Sequence, residues 1–176
     1  VGNYAINQGT LANSNYTITY VSANFEITTG ATLIITADAK SKVYGEADPA
    51  LTYTITSGTL QSGDVLTGSL SRVSGEDVGD YAITSSLSNP NYAINFVSSN
   101  VSITAKPITV TAEAKSKTYG DVDPALTYTV SPALVGTDVL TGSLERVVGE
   151  DVGNYAINQG TLANSNYTIT YVSANF

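Results

Sequence analysis

The chain has 176 residues, 42% of them apolar and 12% charged, and it contains no Cys, His, Met or Trp. Without His or Cys, the usual zinc, haem and iron–sulfur ligand sets, Ser-His-Asp and Cys-His catalysis and any disulfide framework are excluded, leaving carboxylates, hydroxyls, amides and a few Lys. Seven Lys and Arg against fifteen Asp and Glu give a net charge of −8, which removes the electrostatic basis for a nucleic-acid partner. Thr, Ser and Asn supply 24, 19 and 14 residues, a polar but uncharged surface that suits exposed β-sheet. No apolar run approaches the roughly 18 residues of a membrane span, and the first residues lack the basic start and apolar stretch of a signal peptide. Any such signal is expected outside this stretch.

In chain order, the first element is the segment Val1–Phe25, VGNYAINQGTLANSNYTITYVSANF, which returns unchanged at Val152–Phe176. A diverged copy lies between them at Val78–Val101. A second anchor agrees: TADAKSKVYGEADPALTYT at Thr36–Thr54 returns at Thr111–Thr129, and DVLTGSL at Asp64 returns at Asp138. The fundamental period is near 75 residues, and the larger unit is a pair of repeats 151 residues long. With short linkers at Thr28–Ala31 and Thr104–Pro107, the expected domains are 1–28 as the back part of a preceding repeat, 29–104 as a complete repeat, and 105–176 as a repeat lacking its last residues. The chain reads as a window on a longer array.

Within each repeat the apolar period is two, the signature of half-buried strands. From Ile108 the pattern predicts one long strand through Lys117, with Ile108, Val110, Ala112, Ala114 and Ser116 on one face and Thr109, Thr111, Glu113, Lys115 and Lys117 on the other. Further strands follow at Leu126–Val130, around Leu140 and Leu144, and through Tyr167, Ile169 and Tyr171. Each run is bounded by Gly, Pro, Asn or Asp, and no stretch has helical spacing. About six strands per repeat point to an all-β fold of tandem Ig-like β-sandwiches in an elongated rod, with β-grasp-like repeats as the alternative.

The runs at Lys106–Tyr128, Asp138–Ile157 and Asn166–Phe176 together resemble the MBG domain of the Tyr-Gly-x type. The resemblance covers essentially the whole chain. It implies an extracellular bacterial protein, secreted or on the cell surface, of the kind that forms long arrays in large adhesins. There the repeats act as a stalk or filament that spaces an adhesive tip from the cell. The partners expected are neighbouring repeats of the same chain, with surface polysaccharide or other copies of itself as alternatives. The resemblance brings no catalytic residue, and no nucleophile with a base or phosphate loop is legible, so no enzyme is expected.

Three local patterns are candidate sites. The acidic loops Tyr44-Gly-Glu-Ala-Asp-Pro and Tyr119-Gly-Asp-Val-Asp-Pro place oxygen ligands at alternate positions, Glu46 with Asp48 and Asp121 with Asp123. These could seat calcium if Asp64 or Asp138 converged on them, or could be solvated turns. The spacing Asp77-x-Gly79-x-Tyr81, repeated at Asp151, Gly153 and Tyr155, is that of a tyrosine corner, in which a hydroxyl bonds the loop backbone at a sandwich edge. The Lys-Ser-Lys pairs, Lys40 with Lys42 and Lys115 with Lys117, fall on the polar face of the predicted strand. There they would solvate a sheet or, alternatively, supply an amide cross-link to an Asn.

Overall fold

A computed structural model describes residues 1–30 and 32–176. Ala31, the last residue of the first expected linker, lies outside the described residues. The strands in chain order are β1 (Gly2–Ile6), β2 (Ala23–Ile27), β3 (Leu33–Ala37), β4 (Lys40–Val43), β5 (Tyr53–Ser57), β6 (Leu70–Arg72), β7 (Gly79–Ser85) and β8 (Ile94–Val97). They continue with β9 (Asn100–Thr104), β10 (Lys106–Ala112), β11 (Tyr128–Ser131), β12 (Glu145–Arg146), β13 (Ala156–Asn158), β14 (Tyr167–Val172) and β15 (Ala174–Asn175). The chain is all-β, in several small sheets, with no helix among the described residues. The strands are rich in Val, Ile, Thr and Tyr, whose branched or aromatic side chains pack well on a pleated surface.

Two compact units form. The first contains 1–39, 50–73 and 82–100, and the second 40–49, 74–81 and 101–176. In the first unit β3 is the central strand, antiparallel to β5 and parallel to β8, with Leu33 opposite Ile94 and Ile35 opposite Phe96. Its burial alternates strictly, with Leu33, Ile35 and Ala37 buried and the residues between them half-buried. Leu33, Ile35 and Tyr92 form the core there, with Ile55, Leu60, Leu66, Leu87, Ile94 and Phe96 packed around them. Strands β1 and β2 form an antiparallel hairpin in the same unit.

The second unit repeats the arrangement: β10 lies antiparallel to β11 and parallel to β14, with Ile108 opposite Ile169 and Val110 opposite Tyr171. Its core gathers Ile108, Val110, Ala112, Leu140, Leu144, Ile157, Leu162, Tyr167 and Phe176. Here also β4 runs parallel to β9, with Lys42 opposite Ile103.

The long first strand expected from the alternation is not one strand. In the middle repeat it breaks at Asp38–Ala39 into β3 and β4, and in the last repeat β10 ends at Ala112. The cause is a carboxylate that bonds sideways. The Asp38 amide donates to the Thr52 carbonyl, and its carboxylate accepts the Thr52 and Thr54 hydroxyls. Glu113 is held the same way, its amide on the Thr127 carbonyl and its carboxylate on the Thr127 hydroxyl. The break also shifts the phase of the alternation. Ala37 and Lys42 are both buried, although an odd spacing would put them on opposite faces of a continuous strand. Lys42 is therefore only 6% exposed, against the expectation of a solvated polar face.

Truncating the core and truncating the sheet surface should differ sharply. Ile108→Ala, at a side chain 2% exposed, should cost about 2–5 kcal/mol. Thr168→Ala on the exposed face of β14 should stay within about 0.5 kcal/mol. Equilibrium urea unfolding of the two variants measures the difference.

Candidate functional site

The Tyr-Gly motif of the middle repeat is the best-built polar site in the second unit. Strand β4 delivers Tyr44, whose amide donates to the Thr104 carbonyl at 2.9 Å. Gly45 then turns the chain with φ of +84°, a left-handed conformation that side chains with a Cβ disfavour. The same glycine packs against Val135, and a Cβ on it would lie 2.5 Å from Val135 Cγ2. Two independent constraints thus require Gly at this position.

That close approach brings the Tyr44 hydroxyl to Asp138. Tyr44 donates to Asp138 Oδ2 at 2.8 Å, and Tyr167 donates to the same oxygen at 2.6 Å. The Tyr167 hydroxyl in turn accepts the Val135 amide at 2.8 Å, and the two rings meet edge to face with centroids 5.5 Å apart. Beside them Asn166, 9% exposed, donates from Nδ2 to Asp77 Oδ1 at 2.8 Å and accepts the Val78 amide at 2.9 Å. Residues of the middle repeat, Tyr44, Asp77 and Val78, are therefore bonded to residues of the last, Asp138, Asn166 and Tyr167.

The electrostatics follow from this geometry. The bond to Asp138, with burial adding to it, pushes the Tyr44 phenol up to about 12. Asp138 is lowered by the hydroxyls of Tyr167 and Tyr44. Hydrogen bonds to an ionised carboxylate are among the stronger ones, so the site favours neutral Tyr and charged Asp together.

A second cluster ties each acidic loop to its own repeat. Lys42 Nζ lies 2.7 Å from Asp48 and 2.5 Å from Glu76, and Lys117 Nζ lies 2.6 Å from both Asp123 and Glu150. Arg146 bonds Asp123 at 2.5 Å and Glu150 at 2.6 Å, and stacks over the rings of Tyr155 and Phe176. Arg146 first and Lys117 second hold the Asp123 carboxyl at about 2. Asp48 and then Glu76 raise Lys42, and Asp123 and then Glu150 raise Lys117.

The residues singled out in the sequence therefore separate. Asp48 and Asp123 face cations, the Glu46 carboxylate accepts the Val43 amide, and the Asp121 amide bonds the Thr118 carbonyl. Asp64 receives the Tyr92 hydroxyl at 2.5 Å, as Asp138 receives its two. Among the described residues no group of three or more carboxylates gathers in a way that could hold a metal ion. Tyr81 donates to the Asp77 carbonyl and Tyr155 to the Asp151 carbonyl, each at 2.8 Å. The glycines that these rings press on are Gly75 and Gly149, where a Cβ would fall 2.1 Å from a ring carbon, whereas Gly79 and Gly153 have open space. Sequence reasoning missed both this glycine and the pairing of Tyr44 with Asp138. The only signal for the latter was the recurrence of Tyr-Gly and of Asp-Val-Leu-Thr-Gly in successive repeats.

A family model for the MBG domain (YGX type) matches residues 1–26, 33–102 and 108–176. The chain belongs to that family, a non-catalytic repeat module typical of bacterial surface proteins. Comparison with curated proteins and with solved structures gives no significant match. No helix among the described residues is long and apolar enough to cross a membrane.

Two outcomes are expected. Asn166→Ala removes the bonds to the Asp77 carboxylate and the Val78 amide, both on exposed residues, and should cost about 0.5–1.5 kcal/mol in urea unfolding. Stability should also be flat across neutral pH and fall at both ends. Asp123 and Asp138 have depressed pKa values, so their contribution is complete above the ordinary carboxylate range and is lost as pH falls toward about 2, the Asp123 value. Tyr44 is raised, so its contribution is complete below the ordinary phenol value of 10 and is lost as pH rises through about 12. Melting temperature against pH should show both limbs, with Asp123→Asn shrinking the acid limb and Tyr44→Phe the alkaline one.

Proposed function

We propose that this chain is a spacer segment of a bacterial surface adhesin, in which successive MBG repeats form a stalk that carries an adhesive tip away from the cell. The observation that carries the reading is the bonding of Tyr44, Asp77 and Val78 to Asp138, Asn166 and Tyr167. A ligand-binding module has no need to build one repeat's loop into the next, whereas a stalk does, because every junction must resist bending. In a repeat array, stability is a sum of each repeat's own core and its contacts with its neighbours.

The reading takes the repeats to be Ig-like sandwiches with domains near 29–104 and 105–176, exported to the cell surface. The alternating inward burial along β3 and β10 supports packed sheets of this kind. So do the Tyr81 and Tyr155 bonds, which have the form of a tyrosine corner. The Lys42 and Lys117 clusters supply stiffening by ion pairs to the acidic loops.

Small-angle scattering on arrays of increasing repeat number tests the proposal. Tripling the number of repeats should raise the radius of gyration about threefold for a stalk, against about 1.5-fold for a compact globule. The stalk reading also expects no retention of the chain on a panel of bacterial surface polysaccharides. Compact scaling, or saturable binding to one polysaccharide, would replace it.

A further inference from the structure

The middle repeat carries its own version of the site that holds Tyr44. Asp64 stands where Asp138 stands in the last repeat, Tyr92 where Tyr167 stands, Gln61 where Val135 stands, and Asn91 where Asn166 stands. The bonds are the same. Tyr92 donates to Asp64 Oδ2 at 2.5 Å, and its hydroxyl accepts the Gln61 amide at 2.9 Å. Asn91 takes the same Asx turn as Asn166, its amide on the carbonyl oxygen of the Asn89 side chain at 2.9 Å, as the Asn166 amide is on Asn164. What Asp64 lacks, among the described residues, is the second tyrosine. Beside Asp64 is a cleft of about 350 Å³ whose lining includes Gln61, Asp64, Asn91, Tyr92, Val1 and Ile27.

Val1 identifies what fits. It begins the segment VGNYAI, as Val78 begins VGDYAI, and Val78 is the residue whose amide bonds Asn166 in the occupied site. Val1 lines the cleft together with Asn91, the residues that correspond to Val78 and Asn166 in the occupied site. The matching donor loop is on the last repeat, where Tyr119 is 71% exposed and Gly120 keeps the left-handed turn, with φ of +90° and open space around it.

We infer that this cleft of the middle repeat is a docking site for the Tyr-Gly loop of another MBG repeat, whose tyrosine hydroxyl joins Tyr92 on the Asp64 carboxylate. The occupant is the Tyr-Gly loop of a second copy of the last repeat, Lys115-Ser-Lys-Thr-Tyr-Gly-Asp-Val-Asp, joined ahead of Val1. Val1–Phe25, whose Val1 lines the cleft, is identical to Val152–Phe176, the closing segment of the repeat that carries this loop. The inference rests on the spacer reading and makes every junction of the array the same two-tyrosine carboxylate contact.

The test extends the full chain at Val1 with a second copy of residues 105–151, completing the first repeat. Asp64→Asn should lower the melting temperature of the extended chain by several degrees more than that of the original chain. Tyr119→Phe in the added copy should abolish that difference, and the Gln61 amide should exchange at least tenfold more slowly in the extended chain. Tyr44→Phe with Asp138→Asn, in the same protein, is the internal reference cycle. If Asp64→Asn costs the same with and without the extension while Tyr44 and Asp138 remain coupled, the docking inference is overturned and the spacer reading stands. If Tyr44 and Asp138 are uncoupled as well, the spacer reading loses its supporting contact. Should Asp64→Asn prevent folding, the exchange rate of Gln61 in the two unmutated chains decides alone.

Discussion

The structure of the second unit turns on one oxygen. Asp138 Oδ2 accepts two tyrosine hydroxyls, Tyr167 from its own repeat and Tyr44 from the one before. A half-buried carboxylate must be given donors or be left at a cost of one to several kcal/mol, and here the donors arrive from two repeats at once. Each side therefore completes the other's hydrogen bonding. The requirement reaches back into the local sequence. Tyr44 attains Asp138 only because Gly45 lets the backbone press on Val135, and Val135 is in place because its own amide is bonded to Tyr167. The Tyr-Gly dipeptide is thus a contact device, with the tyrosine as bond donor and the glycine as the clearance that allows it.

The core was legible in the residues, and the limits of each strand were not. Alternation alone places Ile108, Val110 and Ala112 on one face, and these residues are buried. It cannot show that the strand stops beyond Ala112, because the stop is made by Thr127, fourteen residues further on, bonding Glu113. The same holds for Asp38 with Thr52 and Thr54. A side chain that bonds across to a neighbouring strand ends a run without disturbing its pattern of apolar residues. Lys42 was misplaced for this reason. Its position in the alternation is correct for an unbroken strand and wrong for one that restarts after Ala39.

The candidate sites show the same division between local and distant information. Spacing groups Glu46 with Asp48, but the backbone sends them apart, Glu46 back to the Val43 amide and Asp48 to Lys42. The Tyr81 and Tyr155 bonds lie within four residues of their acceptors, a span that a motif can express. The contact of Tyr44 with Asp138 spans 94 residues, and no local pattern encodes it. Only the repetition does: a tyrosine and an aspartate that each return in every repeat are candidates to meet across a junction.

Repetition also explains how one contact can serve neighbours of different sequence. The donors and acceptors in the Asp138 site are hydroxyls, a carboxylate and the Val135 main-chain amide, and only the last belongs to a position that varies, being Gln61 in the middle repeat. Main-chain groups do not change with the side chain, so the hydrogen bonds survive substitution there. The side chain at that position still meets the glycine of the incoming loop, since Val135 is the residue that Gly45 touches. Val and Gln differ in shape and polarity, so the same hydrogen-bonded frame presents a different packing surface in adjacent repeats. In a chain whose alternate segments are identical, that difference gives each loop a reason to seat on its own neighbour and to leave a more distant copy alone.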